Sequence, residues 1–268
     1  MSDELEQFYK NWQNDRRALI EYDNDCAARK IETILREAPA IHELNLKSAI
    51  DFGCGRGKAL RVFSEKMNLE RAYGFDFSEE AINYAAREFG SDDLEFHRLT
   101  TLDIDESIDR IKQVALDKVD CILLIDLLEH VADCKYLLLR LSELTNYFII
   151  KLPIEANILE NCLMRNKMYP STRQYNGHLR EFSANTVYYF IRALGLTPIS
   201  EGLYLYDVKD AQPQTSSRSL GQHLKEGLIA LVRRLLSIIL HRKLVLALCG
   251  PGGYYCIATY NKAHVLSP

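Results

Sequence analysis

The sequence predicts an α/β protein with a doubly wound, mostly parallel sheet of seven strands and with N-terminal helices. Short apolar segments alternate with helical ones over about a hundred residues, which favours right-handed βαβ units. The segments VDCILLI (119–125) and YFIIKLP (147–153) are almost wholly apolar, as expected of strands that are covered on both faces. The last apolar segment, Gly253 to Tyr260, has no helix after it, which predicts a final antiparallel strand.

The predicted elements follow one another in a regular order. The residues before 44 are predicted to be helical, and CAARKIETILREA has apolar residues near helical spacing. Ser78, followed by two glutamates, is predicted to cap the helix after the second strand, and Gly90 to end it. The strands are predicted at Ser48 to Phe52, Arg71 to Phe77, Leu94 to Leu99, Val119 to Ile125, Tyr147 to Pro153, Gly202 to Val208 and Gly253 to Tyr260.

Composition limits the class of protein. The length of 268 residues fits one large α/β domain with additions, and we predict an N-terminal helical cap over 1–43 and a main domain over 44–268. The hydrophobic fraction of 47% suffices for a sizeable core, and the formal net charge of −4 argues against a DNA-coating protein. The seven cysteines include no CxxC pair and MSDELEQFYK has no signal-peptide core, so we expect free thiols in the cytoplasm.

The turn after the first strand, DFGCGRG (51–57), has glycine at three alternate positions, which lets the backbone approach a ligand closely. A Walker phosphate loop would need glycine at Phe52 and a hydroxyl residue at Ala59, and a dinucleotide loop would need glycine at Lys58. Both patterns therefore fail. Asp76 follows Gly55 by twenty-one residues, about where a carboxylate reaches both hydroxyls of a ribose, so a nucleoside without a phosphate is indicated.

These features resemble the class I S-adenosylmethionine-dependent methyltransferases. The segments DFGCGRG, GFDFSEEAI and VDCILLIDLLEHV stand in the same order on the corresponding strands, and the resemblance covers roughly Leu46 to Pro198 and the final strand. It implies a Rossmann-like methyltransferase fold and S-adenosylmethionine as the cofactor. The glycines would line its methionine part, Asp51 would orient its amino group and Asp76 would hold its ribose. The full set of implied cofactor-binding residues is Asp51, Gly53, Cys54, Gly55, Asp76, Phe77, Thr101 and Ile125.

Two points about this cofactor site stay open in the sequence. Many family members carry an acidic residue at the adenine edge after the third strand, where this chain has Thr100 or Thr101, so a backbone amide is the expected alternative. The glycine loop could also be a tight turn between two structural carboxylates, without a ligand. The resemblance favours the ligand.

The segment after the fourth strand carries Asp126, Glu129 and His130, which would share one helix face if a helix began there. A hydroxyl acceptor must lose a proton when it is methylated, and an imidazole such as that of His130 is suited to take it. A bound Mg²⁺ would instead lower the pKa of the acceptor. A third interpretation is that the carboxylates complement a helix N-terminus while His130 packs beneath a lid.

This segment is similar to that of the quinone-pathway O-methyltransferases and of their relatives that act on glycans. The similarity implies Glu129 and His130 as catalytic residues and a metal set of Asp126, Glu129, His130 and His178, in which Asp126 stands where glutamate is usual. The alternative for His178 is a hydrogen-bonded structural histidine.

Two later segments, 154–183 and 219–249, lie outside the regular alternation of strands and helices. The segment 154–183 is irregular, and we predict an acceptor lid, with a solvated loop as the alternative; the side chains suited to a hydroxylated or anionic acceptor are Arg165, Arg173, Tyr175 and Arg180.

A helical insertion is predicted over 219–249. Charges interrupt each apolar run within 220–248, so every run is too short to span a bilayer. Three roles stay open for this segment: packing on the sheet edge or on a dimer partner, contact with the membrane interface, and binding of another protein.

The sequence therefore predicts a methyltransferase that modifies a hydroxyl on a small, lipid-linked or glycan acceptor. Two other functions stay open: a non-catalytic regulator that binds S-adenosylmethionine, and an RNA 2′-O-methyltransferase. The acidic net charge and the lack of a basic aromatic stretch count against RNA. A cytoplasmic enzyme is expected, with peripheral contact at the inner membrane face through 220–248 and a homodimer as further expectations.

Overall fold

The computed structural model describes residues 20–115, 117–158, 177–206, 231 and 235–261. The strands of these residues form one sheet: β1 Ser48–Phe52, β2 Arg71–Asp76, β3 Leu94–Arg98, β4 Val119–Ile125, β5 Thr145–Ile154, β6 Leu196–Leu205 and β7 Gly252–Tyr260. The helices are α1 Ile20–Glu37, α2 Lys58–Met67, α3 Glu79–Phe89, α4 Ile104–Val114, α5 Cys134–Leu141, α6 Thr186–Ala193 and α7 Arg242–Cys249, with a 3-10 helix over Pro39–Leu44.

The strand order is β3-β2-β1-β4-β5-β7-β6. The first five strands pair in parallel, and β7 lies antiparallel between β5 and β6. The predicted mostly parallel sheet with a final antiparallel strand is therefore confirmed. The sixth strand begins at Leu196, earlier than predicted, because it pairs with β7 from there. The last two residues of that predicted strand, 207 and 208, lie outside the described residues.

Helices cover both faces of the sheet, which explains why the central strands are apolar on both sides. One core lies under α1, α2 and α3 and includes Ile31, Phe63 and Ile82. The other lies under α4, α5 and α6 and includes Leu138 and Ile191. The predicted helix signals hold at α3, where the Ser78 hydroxyl accepts from the Ala81 amide and the helix ends before Gly90.

The chain order reverses between β1 and β4, and this reversal positions the site. In an open α/β sheet, a crevice forms beyond the carboxyl ends of the strands at such a point. Asp51 of β1 is in register with Leu123 of β4 and with Gly74 of β2. The loops after β1, β2 and β4 therefore meet at one edge of the sheet.

No helix begins at Asp126. The backbone there has a φ of +51°, a left-handed conformation in which aspartate is enriched but which a helix cannot continue. A turn follows, closed by the His130 amide on the Leu127 carbonyl at 2.9 Å. The next helix, α5, begins at Cys134, where the Asp133 side chain caps it. The shared helix face considered for this segment is therefore wrong.

The described part of the 219–249 insertion behaves in two ways. In α7, Val245 and Leu246 are fully buried in the core, as packing on the sheet predicts. The preceding helical residues, 235–239, are instead mostly exposed, with 77% of Ile238 and 81% of Ile239 accessible to solvent. In the part of the chain that the structure describes, no helix has both the length and the apolar character needed to cross a membrane.

Candidate active site at the carboxyl edge of the sheet

The loop after β1 turns sharply because Gly53, Gly55 and Gly57 all have positive φ. At Gly53 the amide donates to the Phe75 carbonyl at 2.8 Å, and a Cβ would lie 2.8 Å from the Leu127 side chain. At Gly55, where φ is +52°, no atom of the described residues beyond its two chain neighbours lies within 4 Å of the place that a Cβ would take. The loop therefore leaves open space beside Gly55 in which a ligand can approach the backbone.

Asp76 ends β2 and fastens this loop. One of its carboxylate oxygens accepts from the Gly55 amide at 2.9 Å, and the other accepts from the Ser78 amide at 2.8 Å. Burial raises the pKa of Asp76, and these two hydrogen bonds oppose that shift. Because each carboxylate oxygen can accept more than one hydrogen bond, Asp76 keeps capacity for hydroxyl groups of a ligand.

Asp51 carries an unsatisfied oxygen in the middle of the sheet edge. Its side chain is 1% exposed, and Oδ1 has no hydrogen-bond partner among the described residues. Burial, and after it the nearby charge of Asp76, raises the pKa of Asp51 to about 8. A buried polar atom without a partner is destabilising. The orphaned oxygen therefore fits a site that a donor group of a ligand completes.

We expect Asp51→Asn to make the ligand-free protein less sensitive to alkaline pH. A carboxyl whose pKa is raised in the folded state stabilises that state at low pH, and the contribution disappears as pH rises towards 8. Between pH 6 and pH 8.5 the melting temperature of wild type should fall about 2–4 °C further than that of the variant. Scanning fluorimetry across this range measures the difference, and two parallel pH curves would contradict the raised pKa.

The other residues implied for the cofactor lie around these strand ends. Cys54 is buried in the loop, and Ile125 is half-buried at the end of β4. Phe77 packs, half-buried, against the core under α4, α5 and α6. The Thr101 hydroxyl accepts from the Asp103 amide at 3.0 Å, and Asp103 caps α4. Thr101 therefore helps to shape the loop at the predicted adenine edge.

Three of the predicted acceptor-side residues converge. Glu129, His130 and His178 each offer a ligand atom, and these atoms lie within 4.8 Å of one another. Glu129 is fully buried, and neither of its carboxylate oxygens has a hydrogen-bond partner among the described residues. Burial, and then the charge of Asp126, raises the pKa of Glu129 to about 8. The cluster therefore offers an unsatisfied carboxyl beside two imidazoles.

Each imidazole of the cluster is oriented by a contact at Nδ1. In His130 this atom lies 3.2 Å from the Gly177 carbonyl oxygen, and in His178 it lies 2.9 Å from the Glu155 carboxylate. A carbonyl oxygen only accepts, so His130 donates from Nδ1 and has its lone pair on Nε2. Burial, and then the charge of His178, lowers the pKa of His130 to about 4, so it is neutral at pH 7. For His178, burial lowers the pKa, but the hydrogen bond to Glu155 and the carboxylate charges nearby, first that of Glu155, together outweigh it and raise the pKa.

The predicted metal ligand Asp126 is corrected by the structure. Its carboxylate forms ion pairs with the ammonium groups of Lys151 on β5 and of Lys30 on α1, the second at 2.7 Å. Burial alone would raise the pKa of Asp126, but the two ammonium charges hold it below its usual value. The cluster of possible metal ligands among the described residues does not include Asp126, whose carboxylate is paired with the two lysines instead.

Lys151 and Lys30 also belong to this edge, although the sequence did not predict them there. Lys151 is 1% exposed, and its ammonium donates to the Tyr206 hydroxyl at 2.5 Å. A signal for Lys151 was present, because a lysine inside the apolar run YFIIKLP must be buried and therefore needs a partner. Lys30 gave no such signal, since charged residues on an amphipathic helix usually face solvent.

The predicted acceptor-binding role of Arg180 is also corrected. The guanidinium of Arg180 donates to backbone carbonyls of the turn after β4, at 2.7 Å to Leu128 and at 3.0 Å to Ala132. The neighbouring Leu179 amide donates to the Glu129 carbonyl at 2.8 Å. Arg180 therefore fixes the turn that carries the cluster. Most of the predicted lid, with Arg165, Arg173 and Tyr175, lies outside the described residues.

Comparisons with known proteins point to one class of enzyme. A family model described as a methyltransferase domain matches residues 19–201. A SAM-dependent methyltransferase from Anabaena variabilis has a TM-score of 0.57 at 15% identity, over 95% of this chain and 94% of that one. Geranyl diphosphate methyltransferase in complex with SAM gives 0.54 at 13% identity, over 87% and 85% of the two chains. Coclaurine N-methyltransferase bound to N-methylheliamine and SAH gives 0.52 at 13%, over 87% and 72%. No curated protein matches the chain.

Proposed function

The chain belongs to the methyltransferase domain family and is an S-adenosylmethionine-dependent methyltransferase, and from this premise we propose that it methylates a hydroxyl group. The acceptor class that we propose is a small, lipid-linked or glycan molecule. One observation carries the choice of oxygen, namely the cluster of Glu129, His130 and His178 at the end of β4. A hydroxyl is a weak nucleophile until its proton is removed, and this cluster contains groups that can remove it.

The cofactor side of the proposal rests on two carboxylates and the glycine loop. S-adenosylmethionine, when bound, supplies a methyl group on a positively charged sulfur. The unpartnered Oδ1 of Asp51 fits the amino group of the methionine part. The carboxylate of Asp76 fits the ribose hydroxyls, and the open space at Gly55 admits the ligand beside the loop. Cys54, Phe77, Thr101 and Ile125 complete the proposed cofactor surface.

The acceptor proton can be handled in two ways, and both use His130. In the first, neutral His130 takes the proton directly as a general base. In the second, Glu129, His130 and His178 hold a divalent ion that would act as a Lewis acid on the acceptor hydroxyl. The contacts at both Nδ1 atoms support binding of a metal ion, since a metal-ligating histidine usually donates the N–H of its other ring nitrogen to a carbonyl or carboxylate.

If an ion binds, its identity follows from the donors. Without Asp126, the set contains two imidazoles and one carboxylate, and imidazole suits zinc or iron better than magnesium. We therefore replace the Mg²⁺ of the sequence prediction with a transition-metal ion. The buried position of the cluster would also keep water away from the reacting groups, which favours transfer by proximity and desolvation.

The lipid-linked class of acceptor is kept in the proposal because of the insertion. Its described part exposes Leu235, Ile238 and Ile239, side chains that an interfacial helix would bury in lipid. A second copy of the chain or another protein would cover the same side chains equally well.

The proposed function is tested by transfer of a labelled methyl group. The purified protein is incubated with S-adenosylmethionine, labelled in the methyl group, and with a cell extract, and products are separated before and after ribonuclease treatment. We expect label in a ribonuclease-resistant product in which mass spectrometry places the methyl group on oxygen. Loss of the label with ribonuclease would favour the RNA alternative. Binding of S-adenosylhomocysteine without any labelled product would favour the regulator, and a methyl group on nitrogen would contradict O-methylation.

A further inference from the structure

A cluster of three charged side chains lies beside the cofactor edge and takes no part in the proposed transfer. Asp126, directly after β4, is held between the ammonium groups of Lys151 and Lys30. Lys151 is also bonded to the Tyr206 hydroxyl, and its ammonium lies 5.1 Å from the centre of that ring. The three charged residues come from a loop, a strand and a helix that are distant in sequence. We call Lys30, Asp126 and Lys151 the lysine cluster.

The charges of the lysine cluster do not balance. One carboxylate faces two ammonium groups, so the cluster carries one excess positive charge at a largely buried place. Burying an uncompensated charge is destabilising, and Asp126 can neutralise only one of the two lysines. A second anion would balance the cluster, and no other carboxylate within ion-pair distance of either lysine is found among the described residues.

The accessibility of the three side chains shows which of them a ligand can reach. The side chain of Lys151 is 2% exposed, whereas those of Lys30 and Asp126 are 32% and 22% exposed. Lys151 therefore holds Asp126 from inside, and the Tyr206 hydroxyl accepts a hydrogen bond from Lys151. Lys30 lies at the opening of the cluster, where an incoming anion would meet its ammonium group.

The lysine cluster lies on the acceptor side of the sheet edge. The proposed cofactor carboxylates Asp51 and Asp76 belong to β1 and β2, whereas Asp126 directly follows β4 and Lys151 lies on β5, with Lys30 reaching them from α1. Since neighbouring strands are about 4.8 Å apart, β5 is about 10 Å from β1. Asp126 also lies three residues before Glu129, directly before the turn that carries His130, the proposed proton acceptor.

We propose that the lysine cluster binds an anionic group of the methyl acceptor, a carboxylate or a phosphate, with Lys30 as the contact residue. Lys151 is a positioning residue that fixes Asp126 and thereby the ammonium of Lys30. This inference rests on the proposed function, because it assigns the cluster to the acceptor of that reaction. It narrows the acceptor to an acidic molecule whose anionic group lies near the methylated hydroxyl.

The test measures anion binding to the protein saturated with S-adenosylhomocysteine. Inorganic phosphate and succinate are titrated separately at constant ionic strength, and the melting temperature is recorded. We expect a saturable rise with at least one of them, about 3–6 °C at ten times the dissociation constant. Whether phosphate or succinate gives the tighter binding identifies the anionic group.

Two lysine variants separate a site from general salt effects, since phosphate stabilises many proteins by exclusion from their surface. Lys30→Met should abolish the saturable rise. Lys47→Met, which removes the same charge from a half-exposed lysine paired with Glu70, should retain it. An equal rise in both variants, or no saturable rise in wild type, would overturn the proposal.

A separate measurement excludes the carboxylate of the cofactor as the anion. The dissociation constant of S-adenosylhomocysteine should stay within twofold of wild type in Lys30→Met. A tenfold increase, together with phosphate that binds only without S-adenosylhomocysteine, would assign Lys30 to the cofactor and overturn the inference. If wild type failed to bind S-adenosylhomocysteine at all, the proposed function would fail, while the same titration in its absence would still test the cluster.

Discussion

Replacing Asp76 with alanine is expected to raise the dissociation constant for S-adenosylhomocysteine at least tenfold. The variant loses the acceptors proposed for both ribose hydroxyls, and a tenfold change corresponds to only about 1.4 kcal/mol. It also releases the Gly55 and Ser78 amides that Asp76 now holds, so the loop loses its fixed shape. Isothermal titration calorimetry measures the change, and an unchanged dissociation constant would remove Asp76 from the proposed site.

Asp120→Ala is a matched control for this variant. The Asp120 carboxylate also accepts from two backbone amides, those of Lys47 at 2.7 Å and Ser48 at 2.8 Å. It lies at the start of β4, at the opposite end of the sheet from the proposed site. We expect Asp120→Ala to lower the melting temperature but to bind S-adenosylhomocysteine as wild type does. Equal loss of binding in the two variants would indicate a general effect on the sheet.

Replacing His130 with alanine is expected to lower the rate of methyl transfer at least a hundredfold, the usual range for loss of a general base. Binding of S-adenosylhomocysteine should change less than threefold, because His130 lies outside the proposed cofactor surface. Initial rates of label transfer and calorimetric titration give the two values. His42→Ala, which changes an exposed histidine of the 3-10 helix, is the control and should act as wild type. Equal rates for His130→Ala and wild type would exclude a catalytic role.

The same variant separates the two roles of His130. Wild type is incubated with Zn²⁺, desalted and analysed for metal by mass spectrometry, beside His130→Ala and His178→Ala. If the cluster binds a metal, wild type should retain about one ion per chain, and both variants should lose it. If wild type retains none and the rate still falls, His130 acts as a base without a metal.

Most of the fold could be predicted from the sequence because its signals are local. The apolar runs at 119–125 and 147–153 predicted buried strands, and both are strands of the sheet. Ser78 predicted a helix start from its own side-chain chemistry. The secondary-structure prediction was wrong after β4, where an acidic residue followed by hydrophobic ones suggested a helix. The left-handed backbone at Asp126 is set by the surrounding structure and left no pattern in the sequence.

Part of the candidate site was also predictable, because some of its residues follow from the positions of the strands. Asp51 is the penultimate residue of β1 and Asp76 the last of β2, and the alternation of strands and helices had predicted that these strands are parallel, so their convergence followed from the sheet. His178 was more difficult, since it is distant in the chain from Glu129, yet a family resemblance suggested it. The assignment of Arg180 to the acceptor failed because sequence alone does not show which backbone carbonyls lack a donor. In the structure, the turn after β4 presents such carbonyls, and Arg180 donates to them.

The sequence by itself determined the class of fold, the glycine loop and the two carboxylates at its edge. These features depend on hydrophobic periodicity and on the positions of glycines, which are interactions and constraints between residues close together in the chain. Only the tertiary structure decided which charges meet. It turned Asp126 from a proposed metal ligand into the partner of Lys30 and Lys151, and it left Glu129 with the two histidines. The physical reason is that an ion pair forms between side chains that folding brings within a few ångströms, and that proximity depends on packing between distant elements.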